Sequence, residues 1–113
     1  MAAVMDVADV RTDMKLQRFD GTDEKWGDWS LRFEAYTARL GMENCMVEAE
    51  LQAEPALNGA LGERALVVST RLWHLLITLC EGKALGITRL ARKNGLEAWR
   101  QLKIECENKS GNR

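Results

Sequence analysis

Apolar residues recur every three or four positions through most of this 113-residue chain, separated by polar ones. The clearest run places five large residues on one side of a helix: Trp26, Trp29, Phe33, Tyr36 and Leu40. Thr22 is the predicted N-cap, because the acidic residues Asp23 and Glu24 follow it in the first turn, where they suit the helix dipole. We therefore predict a first helix from about Asp23 to about Leu40, ended by Gly41.

The same kind of spacing predicts further helices downstream. Residues 42–54 are a candidate for a short helix that Pro55 closes. The strongest apolar stretch covers residues 61–80, and a short helix over residues 83–92 follows it. Asn94 as N-cap with Glu97 three positions later has the arrangement of a capping box and marks the start of the last helix. Because no strand-like alternation occurs, we predict an all-α protein, a small bundle of four to five helices.

The pattern divides the chain into a flexible amino-terminal arm (1–15), a helical domain (16–107) and a polar tail (108–113). The predicted core consists of the large apolar residues on the helix stripes: Phe19, Trp26, Trp29, Phe33, Leu72, Leu76, Trp99 and Leu102. No signal peptide or membrane span is predicted, because acidic residues interrupt the amino terminus and the longest apolar stretch is too short. The three cysteines do not form a disulfide framework, which favours a reducing, cytoplasmic setting.

Charge is distributed unevenly, although the net charge is only −1. Residues 1–63 contain 6 basic and 13 acidic side chains, a net charge of −7, whereas residues 64–113 contain 10 and 4, a net charge of +6. The densest basic group consists of Arg89, Arg92, Lys93, Arg100 and Lys103. It is a candidate nucleic-acid or protein interface, and a plain solvated helix face is the alternative.

Candidate chemistry is sparse. His74 is the only histidine, and its spacing from the cysteines matches no zinc site. No glycine-rich nucleotide loop and no nucleophile motif is present. We therefore expect no catalytic residues, no metal, no cofactor and no small-molecule substrate.

Two segments carry a resemblance to a known family. The first is the run from Leu16 to Thr22, with its Phe19-Asp20-Gly21 sequence, followed by the helix of Trp26 and Trp29. The second is Glu97-Ala98-Trp99 with Leu102, preceded by Asn94-Gly95 where the family has a Thr-Ala pair. In this order and in a helical background, the two segments resemble the start of the Gag polyprotein of copia-type LTR retrotransposons.

The resemblance implies a helical domain similar to the amino-terminal domain of retroviral capsid proteins, with self-association in particle assembly as its activity. The expected partner is the chain itself in the context of full-length Gag, and RNA at most weakly, since the family's zinc knuckle is not among these residues. Two alternatives remain open. One is a nucleic-acid-binding module that uses the basic 89–103 region. The other is a domesticated Gag-like adaptor that binds a peptide near Trp26 and Trp29.

Overall fold

The computed structural model describes residues 16–52 and 61–107. Within these ranges the chain forms five α-helices and no strand: α1 (Asp23–Arg39), α2 (Glu43–Leu51), α3 (Glu63–Leu79), α4 (Gly82–Leu90) and α5 (Gly95–Leu102). A π-helical turn, Lys103–Glu107, extends α5. The protein is therefore all-α, a small helical bundle as predicted. The predicted arm (1–15), the tail (108–113) and Pro55 lie outside the described residues.

The last α-helix lies at the centre of the bundle. Although α5 is only eight residues long, it packs against α2, α3 and α4. Its side chains are buried on several sides of the helix, including Leu96, Ala98, Trp99 and Leu102. A short helix with this little exposed surface is stabilised by its neighbours rather than by its own propensity.

The amino-terminal turn of α5 confirms the predicted role of Asn94. The Asn94 side-chain oxygen accepts a hydrogen bond from the Glu97 amide at 3.0 Å, as an N-cap does. The same oxygen accepts from the buried Ser69 hydroxyl of α3 at 2.9 Å. The cap therefore joins the start of α5 to α3. The Glu97 carboxylate accepts hydrogen bonds from Arg100 and Gln101.

Phe19 joins the segment before α1 to the end of α3. Its amide donates to the Leu79 carbonyl at 2.9 Å, and its carbonyl accepts from the Glu81 amide at 2.7 Å. Two residues later, Gly21 has a φ of +96°, and a Cβ there would lie 2.8 Å from the Cβ of Lys83. Only glycine fits this turn without strain. The Phe-Asp-Gly sequence thus fixes the entry to α1 against the start of α4.

All eight residues predicted for the core are buried, with at most 5% of their surface exposed: Phe19, Trp26, Trp29, Phe33, Leu72, Leu76, Trp99 and Leu102. The five aromatic side chains among them form one cluster. The Trp29 ring stacks between Phe19 and Phe33, with centroids 4.8 Å from each. Trp99 closes the cluster from α5, 5.4 Å from both Trp26 and Phe33. Such offset and tilted ring pairs add to the stabilisation that area burial provides.

The predicted bounds of α1 are confirmed to within one residue, but Leu40 was wrongly placed on its buried stripe, and two other helices end earlier than predicted. Leu40 does not belong to the buried stripe, because α1 ends at Arg39 and the Leu40 side chain is 42% exposed. Thr37 is buried instead, and its hydroxyl donates to the Phe33 carbonyl at 3.0 Å. The short helix after α3 ends at Leu90 rather than at residue 92, and the turn that follows contains Lys93 with a φ of +57°. The candidate helix 42–54 is α2, which ends at Leu51.

Candidate interaction surface

The predicted basic group is divided by the fold, and Arg100 does not belong to a surface patch. Only 7% of Arg100 is exposed. Its Nε donates to the Gln52 carbonyl at 3.0 Å, and its Nη1 donates to the Glu97 carboxylate at 3.0 Å. A buried guanidinium needs such partners, because an unpaired buried charge is strongly destabilising. Arg100 therefore fastens α5 to the end of α2.

Lys103 was also wrongly assigned to the patch. Its ammonium nitrogen lies 2.9 Å from Glu107, 3.7 Å from Glu50 and 3.9 Å from Glu34. Burial by itself would lower the pKa of Lys103, but the Glu107 hydrogen bond and the three carboxylate charges outweigh it and raise this pKa. Lys103 is thus a cation whose charge is neutralised within the bundle, linking α1, α2 and the π-helical turn.

The other three predicted cations, Arg89, Arg92 and Lys93, are exposed and lie together along a groove of about 950 Å³. We call this surface the α4 groove. Its apolar lining consists of Trp73, Ile77, Ile87 and Leu90. Leu90 is 87% exposed, more than any other large apolar side chain in the described ranges. Among the described residues, these three cations form no ion pair. The α4 groove therefore combines exposed apolar surface with positive charge.

A second exposed apolar surface lies on α2, and we call it the α2 face. It consists of Val47, 45% exposed, and Leu51, 79% exposed, with the exposed glutamates Glu43 and Glu48 on either side. The helical period places these residues opposite the buried side chains of Met42, Met46 and Ala49. Sequence reasoning considered only the buried side of this helix. The signal that it missed was the apolar pair Val47 and Leu51, spaced four apart between glutamates.

The chain's histidine lines a different groove of about 590 Å³, beside Leu16, Arg18 and Arg71. His74 is exposed, its Nδ1 lies 2.9 Å from the Thr70 carbonyl oxygen, and its ring packs edge-on against Trp73. No group of three or more histidine, cysteine or acidic side chains able to hold a metal occurs in ranges 16–52 and 61–107. His74 therefore has the surroundings of a rim residue on α3.

Cys80 follows the last residue of α3 and is buried, with 2% of its surface exposed. Burial raises the pKa of the Cys80 thiol to about 11. The thiol is therefore protonated at neutral pH, and the protonated form is a poor nucleophile. Its role is that of a small apolar core residue.

The burial of the two α1 tryptophans bears directly on the peptide-adaptor hypothesis. Trp26 is 3% exposed and Trp29 is 5% exposed. The Trp29 indole nitrogen already donates to the Gln17 carbonyl at 2.7 Å. A peptide groove beside these rings would need at least one accessible indole. The structure therefore argues against a partner site at Trp26 and Trp29.

Asp20 gives a pH-dependent prediction for the turn that precedes α1. The Thr22 hydroxyl and amide donate to its carboxylate at 2.6 and 2.9 Å, and these hydrogen bonds lower the pKa of Asp20 from 3.8 to about 2. The Thr22 side chain therefore hydrogen-bonds to Asp20 and does not cap α1. Because the pKa is lower in the folded state, the stabilisation is present above pH 4 and is lost as the pH falls towards 2.

We accordingly expect the Asp20→Asn variant to be less stable than the wild type at pH 5 and to lose this difference by pH 2. Urea denaturation across that pH range measures the effect. Asp28→Asn, at an exposed position of α1, is the matched control for removal of one carboxylate. A stability difference between wild type and Asp20→Asn that stays constant from pH 5 to pH 2 would contradict the assignment.

No helix in the described part of the chain is long and apolar enough to cross a lipid bilayer. No protein-family model, no curated protein and no solved structure matches the chain. The fold places this protein in a structural class, that of small all-α bundles with an aromatic core. Within ranges 16–52 and 61–107, the two most exposed large apolar side chains are Leu90 and Leu51, and they belong to two surfaces of opposite charge, the α4 groove and the α2 face.

Proposed function

We propose that this chain is a structural domain of the copia-type Gag kind and that it acts by associating with copies of itself. The observation that carries this proposal is the contact between the two segments on which the resemblance rests. Trp26 of the first segment and Trp99 of the second lie 5.4 Å apart in one core. Two sequence patterns some seventy residues apart are thus parts of a single structural unit, which supports their reading as one family pattern.

The exposed apolar side chains favour self-association as the activity. Contiguous apolar surface is uncommon on monomeric soluble proteins and commonly marks an interaction site. Here Leu90 lines one groove together with Ile77 and Ile87, and Leu51 lies one helical turn from the exposed Val47. We include in the proposal that the domain has no enzymatic role and works in the cytoplasm. A reducing compartment fits Cys45, Cys80 and Cys106, which are all free thiols.

Sedimentation velocity from micromolar to millimolar concentration tests the proposed function. We expect the weight-average sedimentation coefficient to rise with concentration, and we expect added salt to reduce that rise because the two charged surfaces are screened. A species that remains monomeric at millimolar concentration and low salt would overturn the proposed function. The intrinsic tryptophan fluorescence, measured in parallel, shows whether the chain is folded in each sample.

Nucleic-acid binding has weaker support as an alternative. Arg89, Arg92 and Lys93 remain available to phosphates, but Arg100 is buried and Lys103 is held by three carboxylates. Three exposed cations supply a smaller electrostatic contribution than the five predicted from the sequence. The ring cluster of α1 and α5 is buried and provides no stacking surface for bases.

A further inference from the structure

We propose that the α2 face of one copy docks in the α4 groove of a second copy. This pairing rests on the proposed self-association and names the two surfaces that would carry it. The α2 face supplies Val47 and Leu51, and the α4 groove supplies Leu90 and Ile87. The occupant is thus an amphipathic helix laid in an apolar groove, with anchors one helical turn apart.

Charge complementarity selects this pairing over contact between like surfaces. Glu43 and Glu48 flank the apolar centre of the α2 face. The cations Arg89, Arg92 and Lys93 lie along the α4 groove. Docking α2 faces on each other, or grooves on each other, would bring like charges together, which is unfavourable. Docking the α2 face of one copy in the α4 groove of another brings opposite charges together around an apolar centre.

The shape of the groove also accommodates a helix. Gly86 lies in its lining, exposed and without a side chain, and a Cβ added there would meet nothing within 4 Å. The backbone of α4 is therefore accessible between Lys83 and Leu90, and close approach of another helix is sterically open. Such approach at small residues increases the area that two helices bury.

The two surfaces share no residue, so one copy has room for two neighbours. The contact is consequently heterologous: a face on one copy meets a groove on the next, and repetition produces chains or closed rings. A single nine-residue helix in a groove buries less surface than a standard stable interface of about 1,600 Å². We therefore expect weak association that becomes visible only at high concentration.

Paired double variants test the contact. The face variant, Glu48→Lys/Leu51→Gln, disrupts the α2 face. The groove variant, Leu90→Gln/Arg92→Glu, disrupts the α4 groove. All four side chains are exposed, so the fold is expected to be retained. The matched control is Leu31→Gln/Arg32→Glu, which makes the same kinds of change at exposed positions of α1. Circular dichroism checks that each variant is helical.

Each disabled variant should self-associate at least about tenfold more weakly than the wild type, since burying one leucine accounts for roughly a tenfold step in affinity. The control should associate as the wild type does. Mixed in equal amounts, the face and groove variants retain one intact surface each. We expect this mixture to form a one-to-one complex that does not grow further as concentration rises.

The outcomes separate this pairing from the proposed function. If the wild type associates and both disabled variants associate equally well, the pairing is wrong while self-association stands. A wild type that remains monomeric overturns both. If the groove variant loses salt-dependent binding to a single-stranded RNA of about 20 nucleotides, and its self-association is unchanged, the groove is a nucleic-acid site and the pairing is overturned.

Discussion

Replacing Trp99 by alanine is expected to lower the free energy of unfolding by about 4 kcal/mol. Trp99 has no exposed surface, and its ring packs against both Trp26 and Phe33. Its indole nitrogen donates to the Glu50 carboxylate of α2 at 2.6 Å. The substitution removes the largest fully buried side chain of the described residues, leaves a cavity between α1 and α5, and deprives Glu50 of a hydrogen-bond donor.

A loss of this size is a large part of the stability of a small domain, which is typically 5–15 kcal/mol in total. Urea denaturation followed by circular dichroism at 222 nm (a far-ultraviolet wavelength typical of helices) measures it. Trp99→Phe is the informative companion: it keeps an aromatic ring but removes the N–H donor, so we expect it to cost about half as much. A Trp99→Ala variant within about 1 kcal/mol of the wild type would contradict the central role of α5.

Gly95→Ala is the second large effect, and we expect it to cost about 3 kcal/mol although it adds only one methyl group. Gly95 begins α5 where that helix crosses α3. A Cβ at this position would lie 2.5 Å from the Ser69 carbonyl oxygen and 2.7 Å from the Leu72 carbonyl carbon, and closer still to the Trp73 amide. These are backbone atoms, which cannot move aside as a flexible side chain can, so the helices must separate.

Two other helical glycines provide matched controls with the opposite sign. A Cβ at Gly27 of α1 or at Gly86 of α4 would meet nothing within 4 Å. Alanine at either position should therefore stabilise the domain by about 0.5–1 kcal/mol, through helix propensity alone. Thermal denaturation of the three variants ranks them directly. A Gly95→Ala protein as stable as the wild type would show that α5 does not approach α3 as closely as described.

The same close approach gives a physical reason for the Asn94-Gly95 pair, at which this chain differs from the pattern of the proposed family. The resemblance places a Thr-Ala pair where this chain has Asn94-Gly95. Asn94 still performs the capping role that a hydroxyl residue would perform. The next residue, position 95, must be glycine here, because an alanine Cβ would overlap the α3 backbone.

The sequence was sufficient to predict the helices and the core, because both depend on short-range periodicity. The 3.6-residue period placed Trp26, Trp29 and Phe33 on one buried side of α1, and the structure buries all three. Helix ends were less predictable. Leu40 continues the helical period, but it lies past the last turn of α1 and is not buried. Thr37 is the buried residue at this end of α1, because its hydroxyl can hydrogen-bond to a backbone carbonyl of the same helix.

The candidate surface was only partly predictable, because spacing along a helix does not reveal what lies opposite. Arg100 and Lys103 look like exposed cations in the sequence, and they were grouped with Arg92 on that basis. The fold places Glu34 of α1 and Glu50 of α2 beside Lys103, and it places the Gln52 carbonyl, just after α2, against Arg100. Those contacts join residues far apart in the chain, so no local pattern identifies them. The α2 face was not predicted for the same reason: which side of a helix stays exposed depends on how that helix packs in the fold.

The contact between Trp26 and Trp99 also constrains how the domain forms during translation. The two residues lie about seventy positions apart, and the ring of Trp99 completes the cluster that α1 begins. A nascent chain that has released only α1 to α4 still lacks the helix around which they pack. Its tryptophans and leucines remain accessible to chaperones until α5 has left the ribosome. A premature stop codon upstream of Gly95 should therefore yield an aggregation-prone product rather than a smaller folded one.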